Sequence, residues 1–85
     1  MTPLPATNPT ALVVDTRGLK CPVPVIRARR AARGLPQGAE IIVQCTDPLA
    51  RIDIPHFAST DGHELVSESE HEGVIWFVLK VGARS

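Results

Sequence analysis

The run Ala11-Leu12-Val13-Val14-Asp15, followed by Arg17-Gly18-Leu19-Lys20-Cys21-Pro22-Val23-Pro24 and later by Glu40-Ile41-Ile42-Val43-Gln44-Cys45-Thr46, carries the architecture of this chain. The first piece is a short apolar run closed by polar residues, which reads as a strand. Arg17 to Lys20 is a tight connection. From Pro22 to Arg33 the pattern turns helical, with Val25, Ile26, Ala28, Ala32 and Leu35 on one apolar face and Arg27, Arg30 and Arg33 towards solvent. Pro22 and Pro24 fit a first helical turn, where backbone N–H groups have no intrahelical partner to lose. Gly34 stops the helix, with Pro36 shortly after it. Glu40 to Thr46 is β-branched and apolar, a second strand. Strand, helix and strand with short connections predict a right-handed parallel βαβ unit.

Working outward, a second helix is expected over Asp53 to Asp61, capped by Asp53, with Pro55 in its first turn and Ile54, Phe57 and Ala58 on its buried face. The alternative is one helix from Pro48, kinked ahead of Pro55. Gly62 ends either version. Glu64 to Glu70 alternates as an exposed strand, Glu72-Gly73 marks a hairpin turn, and Val74 to Val81 is a strongly apolar strand. On it Ile75 and Phe77 are expected to face the helices, and Trp76 and Val78 the open side of the sheet. The order βαβαββ gives an α/β (α+β) two-layer sandwich, a four-stranded mixed sheet with both helices on one face. Residues 1–10, rich in proline, read as a disordered tail before one domain over 11–82.

Composition narrows the function. The chain has 85 residues, room for one small domain. Lys plus Arg equals Asp plus Glu at nine each, and Trp76, Phe57 and Phe77 are its whole aromatic set. Nucleic-acid binders draw affinity from a positive excess and from stacking aromatics, so nucleic acid is not the expected partner. Two cysteines make no disulfide framework. Residues 1–10 do not resemble a signal peptide, and no stretch approaches the roughly 20 apolar residues of a membrane span. A reduced, cytoplasmic protein with free thiols is expected.

Cys21 is the candidate reactive group. At the start of a helix its sulfur would lie near unpaired N–H groups and the positive end of the helix dipole, which favour the thiolate. Arg17 and Lys20 are close in sequence, Arg27 is a further cation to consider, and Pro22 and Pro24 stiffen the turn that aims the sulfur. The plain alternative is a small hydrophobe in a loop, against which the Lys, Pro and Gly neighbours speak. His56, His63 and His71 sit in no recognisable catalytic motif, so a hydrolase with a fixed base is not expected. A Cys-x-x-Cys pair is absent. A thiolate without a fixed base still performs thiol exchange, including attack on a persulfide. Cys45 reads as a strand cysteine packed under a helix, with a resolving thiol for Cys21 as the sharper alternative. Asp47 and Asp53 read as turn and helix caps, Arg51 as a partner for either, and Arg17 as holding Asp15 or orienting the loop.

The run Asp15 to Pro24 closely resembles the signature Arg-Gly-Leu-x-Cys-Pro-x-Pro of the TusA/SirA-like sulfur-carrier family. Thr46-Asp47-Pro48, Asp53-Ile54-Pro55 and Phe57 are also similar to that family, and the likeness extends over residues 12–82. The resemblance implies a sulfurtransferase-type carrier whose Cys21 accepts sulfane sulfur as a persulfide, supported by Arg17, Gly18, Lys20, Pro22 and Pro24. It implies no cofactor and no metal. It implies a protein donor, a cysteine desulfurase or rhodanese-like protein, and a thiol acceptor such as a DsrE-like protein. The sulfur's end use stays open among tRNA thiolation, molybdenum cofactor assembly and sulfur oxidation. A nucleic-acid-binding or regulatory module of similar arrangement, as in the C-terminal domain of translation initiation factor 3, is the competing expectation.

Overall fold

A computed structural model describes residues 11–82; the expected tail over 1–10 lies outside the described residues. The elements run β1 (Leu12–Thr16), α1 (Val23–Arg33), β2 (Glu40–Cys45), α2 (Ala50–Asp61), β3 (Glu64–His71) and β4 (Val74–Lys80). The sheet order is β1-β2-β4-β3. Strands β1 and β2 pair in parallel, from Leu12 opposite Ile41 to Thr16 opposite Cys45. β4 pairs antiparallel with both β2 and β3. The expected βαβαββ mixed sheet with two helices is therefore present, each boundary of the first half shifted by a residue or less.

Alternation along the strands puts one set of side chains under the helices. Ile41, Val43 and Cys45 of β2 and Ile75, Phe77 and Leu79 of β4 join Ala28 and Ala32 of α1 and Ile54, Phe57 and Ala58 of α2 in one buried cluster. Ile75 and Phe77 thus face the helices as expected. Ile42 and Val78 are buried outside that cluster, as direct partners on the two central strands. Beside them Trp76 is half-buried.

Two expectations are corrected. On α1, Ile26 is 51% exposed. At about 100° per residue it points roughly 160° away from Ala28, whereas Pro24, Ala28 and Ala32 fall within one narrow arc and are buried. The second helix begins at Ala50, not Asp53, and Pro55 lies inside it. The reading that starts near Pro48 is the one that fits. The reason is an upstream turn: Leu49 N–H donates to Asp47 Oδ1 at 3.0 Å, and Ala50 and Arg51 N–H groups donate to the Asp47 and Pro48 carbonyls at 2.9 and 3.1 Å. Asp47 caps this turn, and helical geometry is established before Pro55 removes one donor.

The two helices are tied by Arg29, whose Nε donates to Asp61 Oδ2 at 2.9 Å and whose guanidinium lies 5.3 Å from the Phe57 ring centre. At the far end of the sheet the chain passes very close to itself. A Cβ at Gly82 would stand 1.7 Å from the Gly62 carbonyl oxygen, a backbone atom that cannot swing aside. Gly82 N–H also donates to His63 Nδ1 at 3.1 Å. Gly82→Ala is expected to lower stability by about 1–3 kcal/mol through this overlap, measured by urea denaturation with Gly34→Ala, whose Cβ meets an atom only at 3.8 Å, as the comparison.

Candidate functional site

Parallel pairing of β1 and β2 brings the two loops after them to the same edge of the sheet, the usual place for a site in such a unit. The loops are laced together. Gly18 N–H donates to Thr46 Oγ1 at 2.9 Å, and Cys21 N–H donates to Asp47 Oδ2 at 2.8 Å. Gly18 holds φ +82, a backbone shape that a side chain would strain. The Cys21–Pro22 peptide is cis. Pro22 occupies the position before α1, and Pro24 is buried in its first turn.

Cys21 is exposed in this setting. Gly18, Leu19, Lys20, Cys21, Thr46, Asp47, Pro48 and Leu49 line a cleft of about 560 Å³. On its other side a smaller cavity of about 180 Å³ is lined by Cys21, Pro22, Val25, Arg29, Asp53, His56 and Phe57. It is Arg29, not Arg27, that reaches this neighbourhood. The Cys21 thiol donates to Asp53 Oδ2 at 2.5 Å.

That contact corrects two expectations. Asp53 is not the helix cap; it projects from the first turn of α2 onto the sulfur. And the Cys21 thiol is pushed up from its ordinary range, not down. The hydrogen bond to the Asp53 carboxylate is the leading cause, followed by desolvation and by the negative charges of Asp53 and Asp47. A hydrogen bond that uses the thiol proton stabilises the thiol, and nearby carboxylates oppose a thiolate. The contact therefore favours the protonated thiol over the thiolate. The sulfur also has a carboxylate base in contact with it, which no histidine provides.

Arg17 holds Asp15, as one of the two sequence readings had it. Its Nε and Nη2 donate to the two Asp15 oxygens at 2.9 and 2.8 Å. This pairing draws the Asp15 carboxyl down to about 2, with the side-chain hydrogen bond to Arg17 as the leading cause. The guanidinium is thus engaged away from the sulfur. Lys20 lines the main cleft and helps lower the Asp47 carboxyl, after that group's hydrogen bonds from the Cys21 and Leu49 N–H groups. Arg51 pairs with neither Asp47 nor Asp53 but with Glu68, at 2.5 Å, and Glu70 of β3.

Cys45 is fully buried. Its sulfur lies 3.4 Å from Thr16 Oγ1, and burial is the leading cause of its raised thiol. This is the packed strand cysteine of the plain reading. Among the described residues, no group of three or more His, Cys, Asp or Glu side chains is placed to hold a metal ion, and no helix is long and apolar enough to cross a membrane.

Comparison with known proteins agrees with this arrangement. Residues 12–81 match the family model described as sulfurtransferase TusA. A sulfur carrier protein TusA of Pseudomonas paraeruginosa is 38% identical over 74 residues, covering 87% of this chain and 94% of that protein. The corresponding protein of Pseudomonas syringae is 42% identical over 67 residues, covering 79% of this chain and 80% of its own. A crystal structure of a SirA-like protein from Desulfitobacterium hafniense superposes with a TM-score of 0.76 at 28% identity, covering 85% of this chain and 99% of that one. These relatives give no support to the nucleic-acid-binding alternative.

Proposed function

Starting from a chain that belongs to the sulfurtransferase TusA family, we propose that this protein carries sulfur on Cys21. The observation that supports this reading most is the contrast between its two thiols: Cys21 is exposed at the edge where both loops converge, and Cys45 is sealed in the core. In the proposed step the Cys21 sulfur attacks the outer sulfur of a donor persulfide. The donor's S–S bond breaks, its electron pair leaves with the donor cysteine, and Cys21 becomes the persulfide. The reverse exchange hands the sulfur to an acceptor thiol. No oxidant or reductant is consumed, because a sulfur–sulfur bond is made for each one broken.

Residues 11–82 form the carrier domain in this reading. Gly18 and the laced loops set the backbone, Pro22 and Pro24 fix the turn behind the sulfur, Lys20 borders the cleft, and Arg17 stiffens the loop through Asp15. The donor is proposed to be a cysteine desulfurase or rhodanese-like protein, and the acceptor a DsrE-like or other thiol protein. Exposed apolar groups beside the site suit protein partners: Leu49 is 52% exposed and Ile52, next to Asp53, 68%. Incubation with a cysteine desulfurase and cysteine is expected to raise the intact mass by one sulfur atom, removable by thiol reductant. A protein whose mass stays unchanged while the desulfurase turns over would reject the proposal.

A further inference from the structure

We infer that Asp53 is a second catalytic group at this site, the acceptor that takes the Cys21 proton when sulfur is loaded and returns it to the departing donor thiolate. The inference rests on the carrier reading above and adds to it a proton path. Its basis is geometric: among the described residues, the Asp53 carboxylate is the group hydrogen-bonded to the Cys21 sulfur, accepting directly from the thiol.

The surroundings explain why a carrier of this build needs such a group. The charged and titratable side chains that face Cys21 come from every element around it: Lys20 and Asp47 from the two loops, Arg29 from α1, and Asp53 and His56 from α2. Arg29 is committed to Asp61, and two carboxylates hydrogen-bond to Cys21 itself, Asp53 to its thiol and Asp47 to its N–H. A free thiolate there would add a further negative charge beside them. Moving the proton from sulfur to Asp53 avoids this, because the carboxyl becomes neutral as the sulfur becomes charged, and the site's net charge does not change.

The balance closes without another reactant. Cys21 begins as the thiol, Asp53 as the carboxylate, and the donor as R–S–SH. The proton passes to Asp53 while the new S–S bond forms to the donor's outer sulfur. The donor's S–S bond breaks, and R–S⁻ takes the proton from Asp53. The products are the Cys21 persulfide, R–SH and the regenerated carboxylate. Unloading runs the same path backwards, with Asp53 taking the acceptor's proton.

The test compares two reactions of the same sulfur in Asp53→Asn. Alkylation by iodoacetamide consumes thiolate and expels iodide, which needs no proton. Persulfide uptake needs the proton moved and returned. Asparagine keeps the shape and removes the charge, so the thiol is expected to ionise at lower pH and to alkylate several-fold faster near neutrality. Single-turnover sulfur uptake from a loaded cysteine desulfurase is expected to slow by about a hundredfold or more, the lower range for removal of a general acid–base group. Asp53→Glu, which keeps a carboxylate, is expected to recover part of that loss. A thermal melt of each variant checks that it is folded. If uptake and alkylation in Asp53→Asn rise or fall together by the same factor, Asp53 acts through charge or structure alone and the relay is wrong, while the carrier reading stands. If the wild type alkylates at Cys21 yet takes up no sulfur, the carrier reading fails and the relay with it.

Discussion

Cys21→Ser is expected to abolish sulfur uptake and delivery while leaving the fold intact. A serine hydroxyl cannot form the sulfur–sulfur bond that holds the cargo, and its oxygen stays protonated at neutral pH. The loss should therefore be complete, down to background in both loading and transfer to an acceptor thiol. Stability should move little, by about 0.5 kcal/mol or less, because the side chain is exposed and serine is close to it in size. Cys45→Ala serves as the companion variant. It removes the buried thiol from the protein and is expected to retain loading at some expense in stability. Intact-mass spectrometry of both, with the same donor, reads the outcome. Uptake by Cys21→Ser equal to wild type would place the cargo elsewhere.

The largest effect on stability is expected at Phe77. It is fully buried on β4, opposite Val43 of the neighbouring central strand. Its ring belongs to the cluster that joins both helices to the sheet. Phe77→Ala removes that ring and leaves a cavity that the strands on either side cannot close. The expected loss is about 3–5 kcal/mol. Small domains have only about 5–15 kcal/mol in all, so the variant should be partly unfolded or melt lower by roughly 15 °C or more. Urea denaturation followed by circular dichroism measures this. A loss below about 1 kcal/mol would mean that the cluster is not the centre of the core. Together the two substitutions separate the parts of the molecule, one removing chemistry without stability and the other stability without touching the sulfur.

Most of the architecture was legible because it depends on local pattern. The run before Asp15, the β-branched stretch from Ile41, and the Glu72–Gly73 turn each carry a period or a turn signal that survives in the structure. Ile26 was misplaced because apolar character was counted without its angle around the helix. The start of α2 was misplaced because Pro55 looked like a first-turn residue, whereas Asp47 and Pro48 build the turn that begins the helix earlier. The candidate cysteine, exposed where the two loops meet, was legible from its motif. Its ionisation was not, because that depends on a carboxylate 32 residues away in sequence. An aspartate in a first helical turn looks like a cap. The available clue was topological: with β1 and β2 parallel, α2 must begin beside the loop that carries Cys21. The Arg51 pairs with Glu68 and Glu70 were hidden for the same reason, since both carboxylates come from a strand reached only after the chain turns back.

The most direct test of the account is to find where the sulfur sits. The wild-type protein is loaded by a cysteine desulfurase with cysteine, its persulfides are capped by alkylation, and the product is cut with trypsin. Cleavage after Lys20, Arg27 and Arg33 puts Cys21 and Cys45 on separate peptides. The account predicts one extra sulfur atom on the Cys21 peptide and none on the Cys45 peptide. Extra sulfur on Cys45, or on neither peptide, would contradict it.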